Sequence, residues 1–280
     1  MSTKVAIVTG GSNGIGAATG AHLNRSGTTV IIVELASTER SAQELIAHLP
    51  SPSGALFFPA DITDWHFNRL DLVIANAGTM EHTPILEDTY DENGELEAPT
   101  EAYRTVDTNL KGSLNTLKLA IHYLKSAPSD SCRSIVLVAS TAGYFDGAGT
   151  VAYTTSKQGV VRLLRSSQGE AVKHNIRINA IAPFFTTTHL TSGIADAWVQ
   201  AGLLVNSPDS IAEDIVDTAL ESSKSGRAVL VTGKYVQDLE HTRMELLSSW
   251  VGDEVAEFMG RAGEFFSSIG GYILPGPRDR

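Results

Sequence analysis

Tyr153-Thr154-Thr155-Ser156-Lys157 sets a phenol and an ammonium four residues apart in a stretch whose spacing predicts a helix. Side chains at i and i+4 share one helix face, so both polar ends converge on one site. A tyrosine moves protons near neutral pH only if its pKa, about 10 when unperturbed, is brought down. A lysine at about 5 Å, in an effective dielectric of about 20, favours the phenolate by roughly 3 kcal/mol, on the order of two pH units. The same spacing also occurs on ordinary solvated helix faces, so the meaning of the pair depends on what the rest of the chain brings to it.

The N-terminus supplies a partner for that chemistry. Lys4-Val5-Ala6-Ile7-Val8-Thr9 is a short apolar, β-branched run that stops at Gly10-Gly11-Ser12-Asn13-Gly14-Ile15-Gly16, and helical spacing follows from Ala17. Strand, glycine turn and helix in that order let the backbone approach a pyrophosphate, whose charge meets the N–H groups and dipole of the helix start. This is the arrangement of a dinucleotide site. About 20 residues beyond the loop, Glu34 closes the next strand. An acid there accepts hydrogen bonds from the adenosine ribose and repels a 2′-phosphate, so NAD is expected in preference to NADP.

Strands are predicted near residues 4–9, 29–34, 55–59, 71–75, 134–140, 177–182 and 228–232, with helices between them. Alternation of this kind implies an α/β fold, a doubly wound parallel sheet of about seven strands covered by helices on both faces. Ligands bind such sheets outside the carboxyl ends of the strands, where Thr9, Glu34, Asn76 and Ser140 fall. At 280 residues the chain parses as one domain, able to bury roughly three quarters of its unfolded surface. The expected division is a dinucleotide-binding domain over residues 1–235, which carries the candidate catalytic and substrate loops, with residues 236–280 as its helical extension. No repeat or low-complexity tract breaks the chain, and Pro50-Ser51-Pro52-Ser53-Gly54 reads as a turn.

Several motifs together resemble the classical short-chain dehydrogenase/reductase family, in the family's order, over residues 4–235. Thr9, Gly10, Gly14 and Gly16 match its cofactor loop, with Ser12, Asn13 and Ile15 between them; Asp61, followed by Ile62, matches the acid near the adenine. Asn76-Ala77-Gly78 matches the motif that supports the central strands, and Pro183 with Thr188 matches the segment holding the nicotinamide carboxamide. Asn109, Ser140, Tyr153 and Lys157 match the catalytic tetrad. The resemblance implies a Rossmann-like fold and hydride transfer between NAD and a secondary alcohol or ketone. Tyr153 would exchange the proton, Lys157 would lower its pKa and bind the nicotinamide ribose, and Ser140 would orient the substrate oxygen. Asn109 would hold a helix irregularity and a water that relays protons. Relatives that prefer NADP often carry Arg or Lys where this chain has Asn13. Residues 152–161 and 176–183 resemble the NAD-dependent 15-hydroxyprostaglandin dehydrogenase-like subgroup, and similar sequences tailor polyketides and terpenoids. The alternative is a catalytically impaired nucleotide-binding or scaffolding member of the same fold.

The family's variable recognition parts are here Tyr144-Phe145-Asp146 and the stretch holding Phe184, Phe185 and Trp198. They contain no Arg or Lys, which favours an apolar alcohol or ketone over a phosphate or carboxylate. Phe184-Phe185 follows Pro183, where the family usually has glycine after the proline, and these aromatics either close over the nicotinamide, line the pocket or are plain core. Family members commonly pair two long helices across a two-fold axis, so a homodimer or homotetramer is expected. Leu114, Leu117, Ile121 and Leu124, with Val160, Leu163 and Leu164, offer apolar surface for it.

Two stretches depart from the family. Only Ile62 to Ala75 lies between Asp61 and Asn76, where a full helix is common, so Trp65-His66-Phe67-Asn68-Arg69 has room for one or two turns. The C-terminal part carries Val251, Val255, Phe258, Met259, Ala262, Phe265, Phe266 and Ile269 at helical spacing. Such a face could cap a pocket, meet a partner subunit, cover the thin sheet edge or join the core.

The net charge of -11 argues against nucleic acid, which needs clustered Lys and Arg. The acids of residues 87–101 read as a solvated loop. The single cysteine, Cys132, excludes an internal disulfide, and no metal site is expected. No apolar run reaches the ~20 residues of a membrane span, and the start of the chain lacks a signal-peptide pattern. A cytoplasmic protein without membrane contact is expected.

Overall fold

The aliphatic and β-branched runs do form strands. In the computed structural model, which describes residues 4–59, 70–145, 149–223, 225–274 and 276, they are β1 (Val5–Thr9), β2 (Thr29–Glu34), β3 (Ala55–Pro59), β4 (Leu72–Ala75), β5 (Ser134–Val138), β6 (Arg177–Pro183) and β7 (Ala228–Thr232). An eighth strand, β8 (Tyr235–Asp238), pairs antiparallel with β7. The expected count of seven is corrected to eight. A two-residue connection, Gly233-Lys234, with Gly233 at φ +56°, turns the chain back; glycine at the first central position is the chemistry of such hairpins.

The helices are α1 (Gly14–Arg25), α2 (Glu39–Ala47), α3 (Thr100–Val106), α4 (Gly112–Lys125), α5 (Val151–Lys173), α6 (Ala195–Gln200) and α7 (Pro208–Leu220). A π-helical turn over Asp107–Lys111 joins α3 to α4. The sheet order is β3-β2-β1-β4-β5-β6-β7-β8, parallel except at β8. The order reverses between β1 and β4, which opens a crevice at their carboxyl ends.

Strand periodicity of two sends neighbouring residues to opposite faces. Ile7, Val73, Ile135 and Leu137 join one buried cluster with Leu117, Leu124, Val160 and Leu164 of α4 and α5. Ala6, Val8, Ile74 and Val136 join the other with Leu23 of α1 and Ile211 and Ile215 of α7. Each fully buried Leu or Ile contributes roughly 1.5–3 kcal/mol. The apolar stripes of α4 and α5 are therefore largely spent on the sheet: among the positions expected to face a partner, only Leu114 is exposed, at 48 %.

By its contacts the chain divides into two compact units, Met1–Asp238 and Leu239–Arg280. The second holds α8 (Leu239–Glu245), α9 (Leu247–Val251) and α10 (Asp253–Ser268). Along α10, Val255, Phe258, Met259, Phe265 and Phe266 recur at helical spacing and are exposed, as is Ile269 just past its end. Among the described residues, no helix is long and apolar enough to cross a membrane. The acidic stretch is solvent-exposed, folded on itself by the Tyr90–Leu96 bridge, with the Asp91 carboxylate accepting the N–H groups of Asn93 and Glu95.

Candidate active site

The glycine loop lies between the end of β1 and the start of α1. Gly10 (φ +63°) and Gly14 (φ +53°) adopt the left-handed region that other residues avoid. A Cβ on Gly16 would stand 2.1 Å from the Gly10 carbonyl oxygen, so only glycine permits that close approach. Asn13, the N-cap of α1, makes no side-chain cap bond, and the first turn carries no acid. The amides at this helix start are thus suited to an anionic group. Asn76 braces the loop by donating from Nδ2 to the carbonyls of Thr9 and Gly10, both at 3.0 Å. Thr9 Oγ1 accepts the N–H groups of Asn76 and Ala77. Glu34 ends β2 and accepts the Ser12 N–H at 3.0 Å, which ties the acid to the same loop. These residues fit a dinucleotide: a glycine cradle no side chain fills, a helix start without its own cap, and an acid beside it.

α5 brings Tyr153 and Lys157 to one face, with the Lys157 ammonium 5.7 Å from the Tyr153 ring centroid. Tyr153 hydrogen-bonds Ser140, which follows β5. Lys157 Nζ donates to the Val138 carbonyl at 2.9 Å. Burial pushes the Tyr153 phenol above its ordinary value, opposed by the Ser140 hydrogen bond. Burial pulls Lys157 down to about 8. Burial is the largest influence on the phenol in this structure. Asn109 lies in the π-helical turn, fully buried. Its amide exchanges both backbone hydrogen bonds with Thr79, each at 2.8 Å, and donates to Ser156 Oγ at 2.9 Å. A Cβ on Gly78 would meet Asn109 Oδ1 at 3.3 Å and Lys157 Nζ at 3.5 Å, so that glycine leaves room for both.

A cleft of about 1420 Å³ runs along these groups. Gly10, Asn13, Gly14, Ile15, Glu34, Asn76, Ala77 and Gly78 border it, together with Ser140, Tyr153, Lys157, Pro183 and Thr188. Thr9, Ser12, Gly16 and Asn109 stand behind as supports. Asp61, Ile62, the short segment that follows them, and Asp146 lie outside the described residues. Of the aromatic residues expected to contact substrate, Phe184 reaches the cleft. Phe185 does not border it: buried, it stacks on Trp198 with ring centroids 4.4 Å apart and planes 6° apart. Trp198 is held by its indole N–H on the Leu204 carbonyl, and Tyr144 lies under Arg165. Phe185, Trp198 and Tyr144 thus pack against neighbouring segments, Phe145 is exposed, and none of the four borders the cleft in this structure. Arg104 and Lys111 reach the cleft from α3 and the π-helical turn, where sequence reasoning did not look for cations. Their one signal was membership of the same helical run as Asn109.

Together the sheet and site define a dinucleotide-binding α/β protein with a tyrosine–lysine–serine centre. The short chain dehydrogenase family model matches residues 4–198, and the chain belongs to that family. A short-chain dehydrogenase/reductase of Penicillium roqueforti, prx4, is 31% identical over 276 residues, covering 89% of this chain and 80% of that protein. The 5'-hydroxyaverantin dehydrogenase of Dothistroma septosporum is 28% identical over 291 residues and covers 92% of each. In fold, the chain is similar to a 3-oxoacyl-[acyl-carrier protein] reductase from Brucella melitensis solved in complex with NAD, with a TM-score of 0.70 and 21% identity over 83% of this chain and 97% of that one. The protein is thus an oxidoreductase of the alcohol/ketone class.

Proposed function

We propose that this protein transfers a hydride between NAD and a secondary alcohol or ketone on an apolar small molecule of lipid, polyketide or terpenoid type. The carrying observation is the convergence of Ser140, Tyr153 and Lys157 in the cleft that begins at the glycine loop. The loop residues and Thr188 would hold the dinucleotide, with Glu34 at its ribose, and the nicotinamide would supply hydride exchange at its C4 position. In the reducing direction the Tyr153 phenol gives its proton to the carbonyl oxygen as the carbon gains the hydride; in the oxidising direction the Tyr153 phenolate takes the hydroxyl proton as the carbon loses its hydride. Ser140 positions that oxygen, and Lys157 holds a positive charge beside the phenol. Phe184, Leu190 and Met80 at the cleft favour an apolar substrate body. The names of the fungal relatives are in keeping with a role in secondary metabolism. The same reading takes the assembly as a homodimer or homotetramer and the compartment as cytoplasmic.

The test is NADH fluorescence on mixing with the protein, followed by a panel of apolar secondary alcohols with NAD. Turnover supports the proposal. NADH binding without turnover across the panel would favour the impaired, nucleotide-binding alternative.

A further inference from the structure

Glu81 is a buried carboxylate that no catalytic motif includes, 7 % exposed on the segment after β4. Its Oε1 accepts the Ala152 N–H at 2.8 Å and its Oε2 accepts the Tyr153 N–H at 2.9 Å. These are the second and third amides of α5, a 23-residue helix whose own N-cap, Thr150, makes no side-chain cap bond. The cap is therefore supplied from more than 70 positions away in sequence. The segment carrying it is clamped on both sides. Thr79 is held by the Asn109 amide, and His82 and Thr83 are held by Glu101.

We propose that Glu81 is a positioning residue for Tyr153: it fixes the first turn of α5, and its charge opposes that of Lys157 at the phenol. The inference rests on the reading of Tyr153 as the proton-exchanging group. Two amides bound by one carboxylate are charge-assisted bonds at the positive end of the helix dipole, strong enough to set where the helix begins. The groups that face Tyr153 are Lys157 on its own helix, Ser140 after β5 and Glu81 after β4. Glu34, Arg104, Asp107, Lys111 and His189 border the same cleft from other elements. After burial, the Glu81 charge is among the influences that hold the phenol up.

The experiment is ultraviolet titration of tyrosinate in the full chain saturated with NAD, with Tyr153 assigned by subtracting the Tyr153→Phe trace. Glu81→Gln keeps the size and removes the charge. It should lower the Tyr153 midpoint by about one pH unit, the effect of one charge at ~10 Å in an effective dielectric of about 20. Glu81→Asp keeps the charge and should leave the midpoint in place. Should Glu81→Gln fail to fold, Glu81→Gln with Thr150→Asn supplies a neutral local cap, and the same downward shift is expected. A midpoint equal to that of the wild type in the neutral variant would overturn the proposal and leave Glu81 a cap alone. Substantial turnover by Tyr153→Phe would instead overturn the reading of Tyr153 on which it rests.

Discussion

At the scale of single residues, the site sets burial against charge. Tyr153 and Lys157 are both withdrawn from water, and each is shifted by that withdrawal toward its neutral form. Tyr153→Phe removes the phenolic hydroxyl, and with it the transferable proton and the hydrogen bond to Ser140, so kcat should fall at least a hundredfold while NADH binding, read by fluorescence, stays nearly unchanged. Retention of a tenth of the activity would point to another acid. Lys157 carries a stability consequence as well. Its value in the folded protein is about 8, against 10.5 when free, so between these limits the unfolded chain binds the extra proton. Wild-type stability should therefore rise across that window relative to Lys157→Met, and below pH 8 the buried ammonium is at its most costly. Thermal unfolding of both proteins at pH 7 and pH 10 checks the sign, and parallel curves would contradict it. At the coenzyme end, Glu34→Ala should narrow the ratio of kcat/KM for NAD over NADP, and a wild-type ratio of one would remove the proposed preference.

At the scale of elements, the loop between β1 and α1 depends on atoms that are missing from glycine. Gly16→Ala places a methyl group 2.1 Å from the Gly10 oxygen and 2.6 Å from Asn76 Nδ2. The loop must move, so NADH binding should be lost and stability should fall by about 1–3 kcal/mol. Gly20, one turn further along α1, is the matched control: its added Cβ would meet only Val30 Cγ1, at 3.6 Å. Gly20→Ala should stabilise the protein by up to ~1 kcal/mol through helix propensity and leave binding intact. Thermal melts with and without NADH separate the two. The π-helical turn belongs to this scale too. Periodicity alone suggests one helix through Tyr103 to Leu124, the family resemblance implies an irregularity at Asn109, and the π-helical turn carries Asn109 with its amide on the Thr79 backbone and Ser156.

At the scale of the whole molecule, the expected assembly draws on less apolar surface than the sequence pattern suggested. Leu117, Leu124, Val160 and Leu164 belong to the core. Leu114 and the exposed residues of α10 are what remains of the apolar positions named for a contact. Light scattering at micromolar concentration should give at least a dimer mass, and a monomer would reject that expectation. A dimer that survives removal of residues 252–280 would show that α10 is not its main support.

Most of the architecture was legible because its determinants are local. Aliphatic and β-branched runs, of which those of β1, β4 and β7 stop at glycine or asparagine, and the helical spacing between them are read within a few residues, so β1 to β7 and the catalytic helix fall where periodicity sets them. The motif residues were legible for the same reason, since each glycine, Tyr153 and Lys157 acts through short-range geometry. The sequence by itself thus determined the family, seven of the eight strands and the residues of the candidate site. Tertiary structure decided what depends on distant chain segments meeting. Phe185 stacks on Trp198 rather than facing the cleft, Arg104 and Lys111 arrive from a different element, and Glu81 caps a helix more than 70 residues away. None of these has a signature in spacing, because each arises from the cost of leaving a ring, a charge or an amide without a partner once the chain has closed around it.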